Sequence, residues 1–447
     1  MFSNYNNWCI ISNVIYMKKE LNEQFIIDLS KKKNEPQWML DFRLKSFAKF
    51  KELDNPDFGP KLEFDFENIN YYKGNKEKLT NDWEKVNCSI RSRFDELGVI
   101  DAEEKYLGGV TNQFESEVVY HNQSVTDEGI IFTSTDDALQ KYPELFKQYF
   151  NTLVNYAENK YTALNGAVWS GGSFIYIPAG AKVDRPLQSY FRIETESLGQ
   201  FERTIIIVDE GADLSYIEGC TAKNFSISSL HAGVVEIFIK KNAHCRYSTI
   251  QNWSTDVYNL VTKRAIVDDY GTMEWVDGNI GSKVTMKYPS CILKGEGATG
   301  NSISIAYAKE NQELDAGAKM IHLAPYTKSN IVSKSIAEKG GVSNYRGTTK
   351  ISKKAHHSKA TIKCDTILLD DLSKSDTYPK NILGNKTSTL EHEATISKVS
   401  AEKLFYLTSK GLSEDRAKEL LIMGFISDFK KELPMEYAVE LNRLLQE

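Results

Sequence analysis

The chain has 447 residues, 41% of them hydrophobic and 26% charged, with a formal net charge of −6. This composition excludes wholesale disorder, and the acidic balance argues against nucleic acid as the main partner, because phosphate binding needs a cationic surface. The six cysteines, Cys9, Cys88, Cys220, Cys245, Cys291 and Cys364, contain no C-x-x-C pair and are too sparse for a disulfide framework; free thiols in a reducing compartment are expected.

No stretch approaches eighteen consecutive apolar residues, so no membrane span is expected. The polar start, Met1 to Asn7, has neither a secretory nor a transit-peptide pattern. The chain is therefore expected to work where it is made. Abundant Lys, Asn, Ile and Tyr with scarce Arg suggest an AT-rich genome, including the reduced genomes of plastids. The expected location is the plastid (apicoplast) stroma if the gene is organellar, and the cytoplasm otherwise.

Residues 1–160 read as mostly helical. Trp38, Phe42, Leu44 and Phe47 recur at helical spacing behind Pro36, and Ser134-Thr135-Asp136-Asp137 opens a second helical run. The polar stretch 54–75 between them reads as a loop with one short strand.

From about 165 the period changes. Ser173–Ile177, Thr204–Val208 and Val234–Ile239 are short β-branched and aromatic runs bounded by turns. Small-residue pairs recur at Gly180-Ala181, Gly211-Ala212, Asn242-Ala243, Gly271-Thr272 and Gly297-Ala298, at steps of 31, 31, 29 and 26 residues. A quasi-regular step holding two or three strands and no helix predicts the coils of a β-solenoid over 161–400. A β-sandwich also strings short strands between turns, but it does not repeat its turn pairs over a hundred residues.

Helical spacing returns over 401–447. Ser413-Glu414-Asp415 reads as an N-cap with first-turn acids, and a last amphipathic helix is expected over 437–445. Such helices fold back on the solenoid or dock in another protein's groove.

Chemistry is narrowed first by what is missing. There is no Walker A, G-x-S-x-G, H-E-x-x-H or dinucleotide fingerprint, which leaves a self-sufficient hydrolase or dehydrogenase poorly supported. The strongest constellation joins Cys364 to Leu390-Glu391-His392-Glu393-Ala394, close to one coil further on. A thiolate, an imidazole and carboxylates suit iron, and a thiolate can also carry persulfide sulfur. On a strand, Glu391 and Glu393 share one face and His392 takes the other. On residue types alone, a core cysteine beside a solvated edge strand is the commoner arrangement. Cys220 is a second candidate, while Cys245 and Cys291 read as core cysteines. Two other classes stay open: a solenoid enzyme acting on polysaccharide through surface carboxylates, and a purely structural interaction protein.

Gly108-Gly109-Val110-Thr111, Phe201-Glu202-Arg203-Thr204, Ile217-Glu218-Gly219-Cys220, Gln251-Asn252-Trp253, Val261-Thr262-Lys263-Arg264-Ala265, Lys287-Tyr288-Pro289-Ser290-Cys291, Lys319-Met320-Ile321-His322, Tyr345-Arg346-Gly347 and Leu390-Glu391-His392-Glu393-Ala394-Thr395 form an ordered set. From about Pro36 to the C-terminus this set resembles the SufB branch of the SufB/SufD family, scaffold subunits of the SUF iron–sulfur cluster assembly system. The resemblance implies a mainly β fold, a right-handed parallel β-helix flanked by N-terminal and C-terminal helices. It implies a complex with SufD and two copies of the ATPase SufC, docked through the C-terminal helices. Sulfur would come from a cysteine desulfurase with a sulfur-relay protein, and clusters would leave to carriers and apo-proteins.

Carried over by residue, the resemblance makes Cys220 the sulfur entry point and Cys364 the assembly cysteine at the SufB–SufD interface. Glu391, His392 and Glu393 become iron-holding residues. Arg192, Gln251, Trp253 and Lys263 line a path between the cysteines, and Glu194 stands where some members have Asn. The implied cargo is iron and a transient [4Fe–4S] cluster, with reduced flavin a candidate component of the complex. The chain would then be an assembly scaffold rather than a free-standing enzyme, with ATP hydrolysis mainly in SufC.

Overall fold

The computed structural model describes residues 15–16, 20–75, 79–124, 129–224 and 227–431. The fold is mainly β, 42% strand against 24% helix, and it is a parallel β-solenoid of about eight turns. Two sheets of ten and twelve strands face each other along its length.

The coil repeat follows from corner chemistry. Each corner needs one residue in the left-handed region, then a side chain small enough to turn inward. Gly180, Gly211, Asn242 and Gly297 take that conformation (φ from 57° to 74°). The alanines behind the last three, Ala212, Ala243 and Ala298, are buried in the central apolar cluster. At the fourth corner the left-handed residue is Tyr270 rather than the expected Gly271. Corners also stack on one another: Gly211 N donates to Lys241 O, Asn242 N to Asp269 O and Tyr270 N to Glu296 O. Register sets the coil length at 26 to 32 residues, with Tyr258 beside Val284 and Tyr345 beside Thr377.

The two ends differ. At the start, Glu117–Gln123 turns back antiparallel on Gly109–Phe114, and Ile131–Ser134 lies antiparallel to Ser173–Ile177. These strands cap the stack, and they fall in the region expected to be mostly helical. Their alternation is masked because polar Asn112 and Gln113 are buried. At the far end the edge strands Thr377–Leu383 and Thr389–Lys398 have no further neighbour among the described residues and are largely exposed. Bare parallel edges invite pairing with another chain.

The expected helices form at Gln37–Glu52 and, behind the Ser134 cap, at Thr135–Lys141. Buried Arg43 ties the first to the solenoid mouth, donating to the carbonyls of Ala167 (3.1 Å) and Trp169 (2.9 Å) and pairing with Glu35. Beyond the solenoid lie Ala401–Ser409, Glu414–Phe425 and Ser427–Lys431, the second capped by Ser413 as expected. Ile422, Ile426 and Phe429 fold back onto Ile250, Ile280, Ile305 and Ile336 of the outer wall. In contrast, Phe405 and Tyr406 stay 74% and 60% exposed. The helix expected over 437–445 lies outside the described residues. Among the described residues no helix is long and apolar enough to cross a membrane.

Cys220, Cys245, Cys291 and Cys364 are free and buried. Cys88 is disulfide-bonded, against the expectation of free thiols throughout.

One core group makes the fold sensitive to acid. His322 is fully buried between the Thr327 (2.8 Å) and Ser329 (2.9 Å) hydroxyls, and burial lowers its pKa to about 4. The unfolded chain takes up this proton near pH 6.5, while the folded chain refuses it until about pH 4. The neutral imidazole therefore costs nothing above pH 6.5, and stability falls as pH drops through that window. Urea unfolding at pH 7 and pH 4 is expected to show about 3 kcal/mol of this loss in the native chain and its absence in His322→Gln.

Candidate functional site

Cys220 lies near the end of the strand Asp213–Ala222, 1% exposed, packed with Phe191, Trp253 and Val257. Its thiol is 3.8 Å from Glu218 Oε1. Glu218 faces the solenoid interior and pairs there with Lys263 Nζ at 3.1 Å, both fully buried. Lys263 also donates to Thr249 Oγ1 (2.9 Å), and the Tyr247 hydroxyl donates to Glu218. Burial opposes each charge, but the partners prevail: Lys263 holds the Glu218 carboxyl below its usual range, and Glu218 holds the Lys263 ammonium above its own. Burial and the Glu218 carboxylate push the Cys220 thiol well up, so it rests protonated.

This ion pair belongs to a larger polar interior. Lys287 pairs with Asp277 (2.8 Å) and donates to Gln251 Oε1 (3.3 Å). Asn259 Nδ2 donates to the same Gln251 oxygen (2.8 Å), and Asn259 Oδ1 meets His231 Nδ1 (2.9 Å). His231 Nε2 in turn lies 2.8 Å from Glu202, close enough for an ion pair but without an aligned hydrogen bond. A Cβ at Gly233 would overlap the Glu202 carboxylate, so the glycine makes room for it.

Register turns these contacts into columns. Parallel strands align Glu218, Thr249, Asp277, Ser304, Ser333 and Cys364 on successive coils. The adjacent column runs Cys220, Gln251, Asn279, Ala306, Ser335 and Thr366. Every member is buried, and Ser304 donates to Ser333 at 3.1 Å. Two residues apart on one strand, Glu218 and Cys220 start neighbouring polar columns, and one of them ends on Cys364. Five steps at the usual strand spacing make the separation of the two cysteines ~24 Å.

Of the path residues expected from sequence, Gln251 sits in the second column, and Lys263 reaches Glu218 and Thr249 of the first from the facing sheet. Arg192 and Trp253 instead line a cavity of about 530 Å3 beside Thr221, with Trp253 also packing against Cys220. Arg192 donates to Thr221 Oγ1 (2.8 Å) and pairs with Glu194 (3.1 Å).

At the far end, Cys364 lies on Lys359–Leu368, beside Ala394 of the edge strand Thr389–Lys398. His392 Nε2 comes within 3.9 Å of its sulfur, and Asn381 approaches the other ring nitrogen at 3.0 Å. Burial pushes the Cys364 thiol up to about 12, partly offset by the Tyr345 hydroxyl beside it. Burial also lowers the pKa of His392, favouring the neutral imidazole that can ligate a metal. Glu391 and Glu393 take the exposed positions of the strand, next to Thr361 and Lys363, so they share the outer face while Cys364 and His392 share the inner. Within one chain, then, the structure brings Cys364 and His392 together and keeps the two glutamates apart from them. Among the described residues no three His, Cys, Asp or Glu side chains converge to hold a metal ion.

Sequence reading missed Glu218, Thr249, Asp277, Lys287, Ser304, Ser333 and Tyr345. A signal was available for four of them: stepping one coil at a time from Glu218 lands on Thr249, Asp277, Ser304 and Ser333, while Lys287 and Tyr345 lie on the facing sheet.

Comparison with known proteins adds the family. Residues 191–425 match the model described as "SUF system FeS cluster assembly, SufBD core domain", and residues 28–189 match the "SufBD protein N-terminal region". An iron–sulfur cluster assembly SufBD family protein of Staphylococcus saprophyticus is 55% identical over 437 residues, 97% of this chain and 94% of that protein. Family proteins of Staphylococcus epidermidis and Staphylococcus aureus show the same identity and coverage. These relatives are bacterial and give no support to the plastid source that residue composition suggested.

Proposed function

Because this chain belongs to the SufBD family of iron–sulfur cluster assembly proteins, we propose that it is the SufB-type scaffold subunit and builds a cluster at the open end of its solenoid. Cys220 receives sulfane sulfur from a desulfurase and its relay protein, which approach through the Arg192–Trp253 cavity. The sulfur moves through the polar interior past Lys263 and Gln251 toward Cys364. Direct exchange between the two thiols is excluded by their ~24 Å separation; hydrosulfide attacks the Cys220 persulfide and leaves as hydrodisulfide, which crosses the polar interior, passes its sulfane sulfur to Cys364 and releases hydrosulfide again, with no net change of oxidation state. Iron meets that sulfur at Cys364 and His392, where reduced flavin supplies the two electrons that take each sulfane sulfur to sulfide, with the remaining donors supplied by a SufD-type chain paired on the bare edges. Glu391 and Glu393, on the solvent side of the same strand, deliver iron rather than share a coordination sphere with Cys364. The cargo is a transient [4Fe–4S] cluster, assembled in the cytoplasm of the cell that makes the protein.

One observation carries this reading: a register-aligned polar interior links two buried cysteines, and the second lies beside a histidine at an uncovered sheet edge. The two-cysteine arrangement favours SufB over SufD. The exposed Phe405–Tyr406 face suits docking of the ATPase SufC, whose hydrolysis would open the interface.

Anaerobic reconstitution with SufC, SufD, desulfurase, cysteine, iron, ATP and reduced flavin tests the proposal. Full-length chain is expected to develop cluster absorption and a Mössbauer signal. Chain truncated after Ser400 is expected to lose SufC on purification and form no cluster. Normal cluster yield from the truncated chain, or none from the full chain, would contradict it.

A further inference from the structure

Four of the motif segments also have outward-facing residues that cluster assembly does not use. In each, one residue faces in and its neighbour faces out. Lys263, Lys287, Met320 and Tyr345 are buried inside the solenoid, while Arg264, Tyr288, Lys319 and Arg346 lie on the outer wall. These four, with Lys380 of the edge strand and Phe58 at the rim, line a cavity of about 690 Å3. That volume falls within the range of small-molecule sites.

The charges of the cavity do not balance. Arg264 is spent on Glu158 (2.7 Å), and Arg346 on Asp315 (2.8 Å). Lys319 and Lys380 line the same space, and neither forms a salt bridge among the described residues. Lys319 is half-buried; that burial and the cations of Arg264, Lys380 and Lys350 lower its pKa, against a partial offset from Glu158, so a further anion placed there would relieve the repulsion. Two unpaired ammonium groups match the charge of a phosphate monoester, about −2 at neutral pH.

Aromatic surface completes the site. Phe58 is 46% exposed with its ring 5.9 Å from Tyr288, and Arg346 covers the Tyr378 ring at 3.9 Å. We propose that this cavity binds a phosphate monoester carrying a flat ring, its phosphate held by Lys319 and Lys380 and its ring by Phe58 and Tyr288. The inference does not require the assembly reading, although the cavity shares Lys263 with the interior path and Lys380 with the edge strand.

Calorimetric titration of the full-length chain with AMP, adenosine and inorganic phosphate tests it. One AMP per chain is expected, at least tenfold tighter than adenosine or phosphate alone. Lys319→Glu and Lys380→Glu should each weaken AMP tenfold or more, with unchanged circular dichroism and melting. Lys380 is exposed, so its variant carries the test if Lys319→Glu fails to fold. Equal binding of AMP and adenosine, or AMP binding retained in Lys380→Glu, would overturn the site. Phosphate binding as tightly as AMP would overturn the ring requirement.

Discussion

Replacing Cys364 by serine is expected to abolish cluster formation in the reconstituted complex while leaving the fold intact. The two side chains are nearly isosteric, so the buried site loses little packing; an added hydroxyl there costs on the order of 1–2 kcal/mol. The chemistry changes far more. Serine neither carries a persulfide nor supplies a soft thiolate for iron. His392 remains but holds iron with no sulfur beside it. Iron and acid-labile sulfide should both fall to background in the purified complex, with unchanged circular dichroism. Normal iron and sulfide in the variant would remove Cys364 from the assembly site.

Lys263→Met is expected to be the most destabilising of the interior substitutions. It leaves the Glu218 carboxylate fully buried, beside a thiol and with only the Tyr247 hydroxyl in contact. Removing one partner of a buried ion pair typically costs about 3–5 kcal/mol. Combining it with Glu218→Gln removes the stranded charge, and most of that stability should return. The double variant then separates two roles, since it folds but breaks the first polar step beyond Cys220. Urea unfolding of the three chains gives the energies. A single variant as stable as the native chain would mean that Glu218 is not held as an anion by Lys263.

How much of this was legible follows from where polarity lies. The coil length was readable because Gly180, Gly211, Asn242 and Gly297 mark corners that need a left-handed residue. Tyr270 performs the same role without a sequence signal, which shifted that corner by one residue. The opening and closing helices were readable from the Ser134 and Ser413 caps. The hairpin over 109–123 was not, because its buried positions include the polar Asn112 and Gln113, the latter bonded to Glu115 O and Gly172 N.

The polar interior was hidden for the same reason. Strand reading assumes apolar residues inside and polar ones outside. In Asp213–Ala222 the inward positions include Tyr216, Glu218 and Cys220, and Glu218 reads as a surface residue until its register partners are known. Cys364 and His392 were paired correctly by the coil step, whereas Glu391 and Glu393 lie on the face that strand alternation alone assigns them. The family resemblance grouped them by motif, and the geometry separates them by face.

The central claim is that sulfur enters at Cys220 and reaches Cys364 through the solenoid interior. It is tested most directly by supplying isotopically labelled cysteine and the desulfurase to the assembled complex, then mapping persulfides by mass spectrometry. Native chain should carry label on both cysteines, Cys364→Ser on Cys220 alone, and Cys220→Ser on neither. Label on Cys364 at native level in Cys220→Ser would contradict the account.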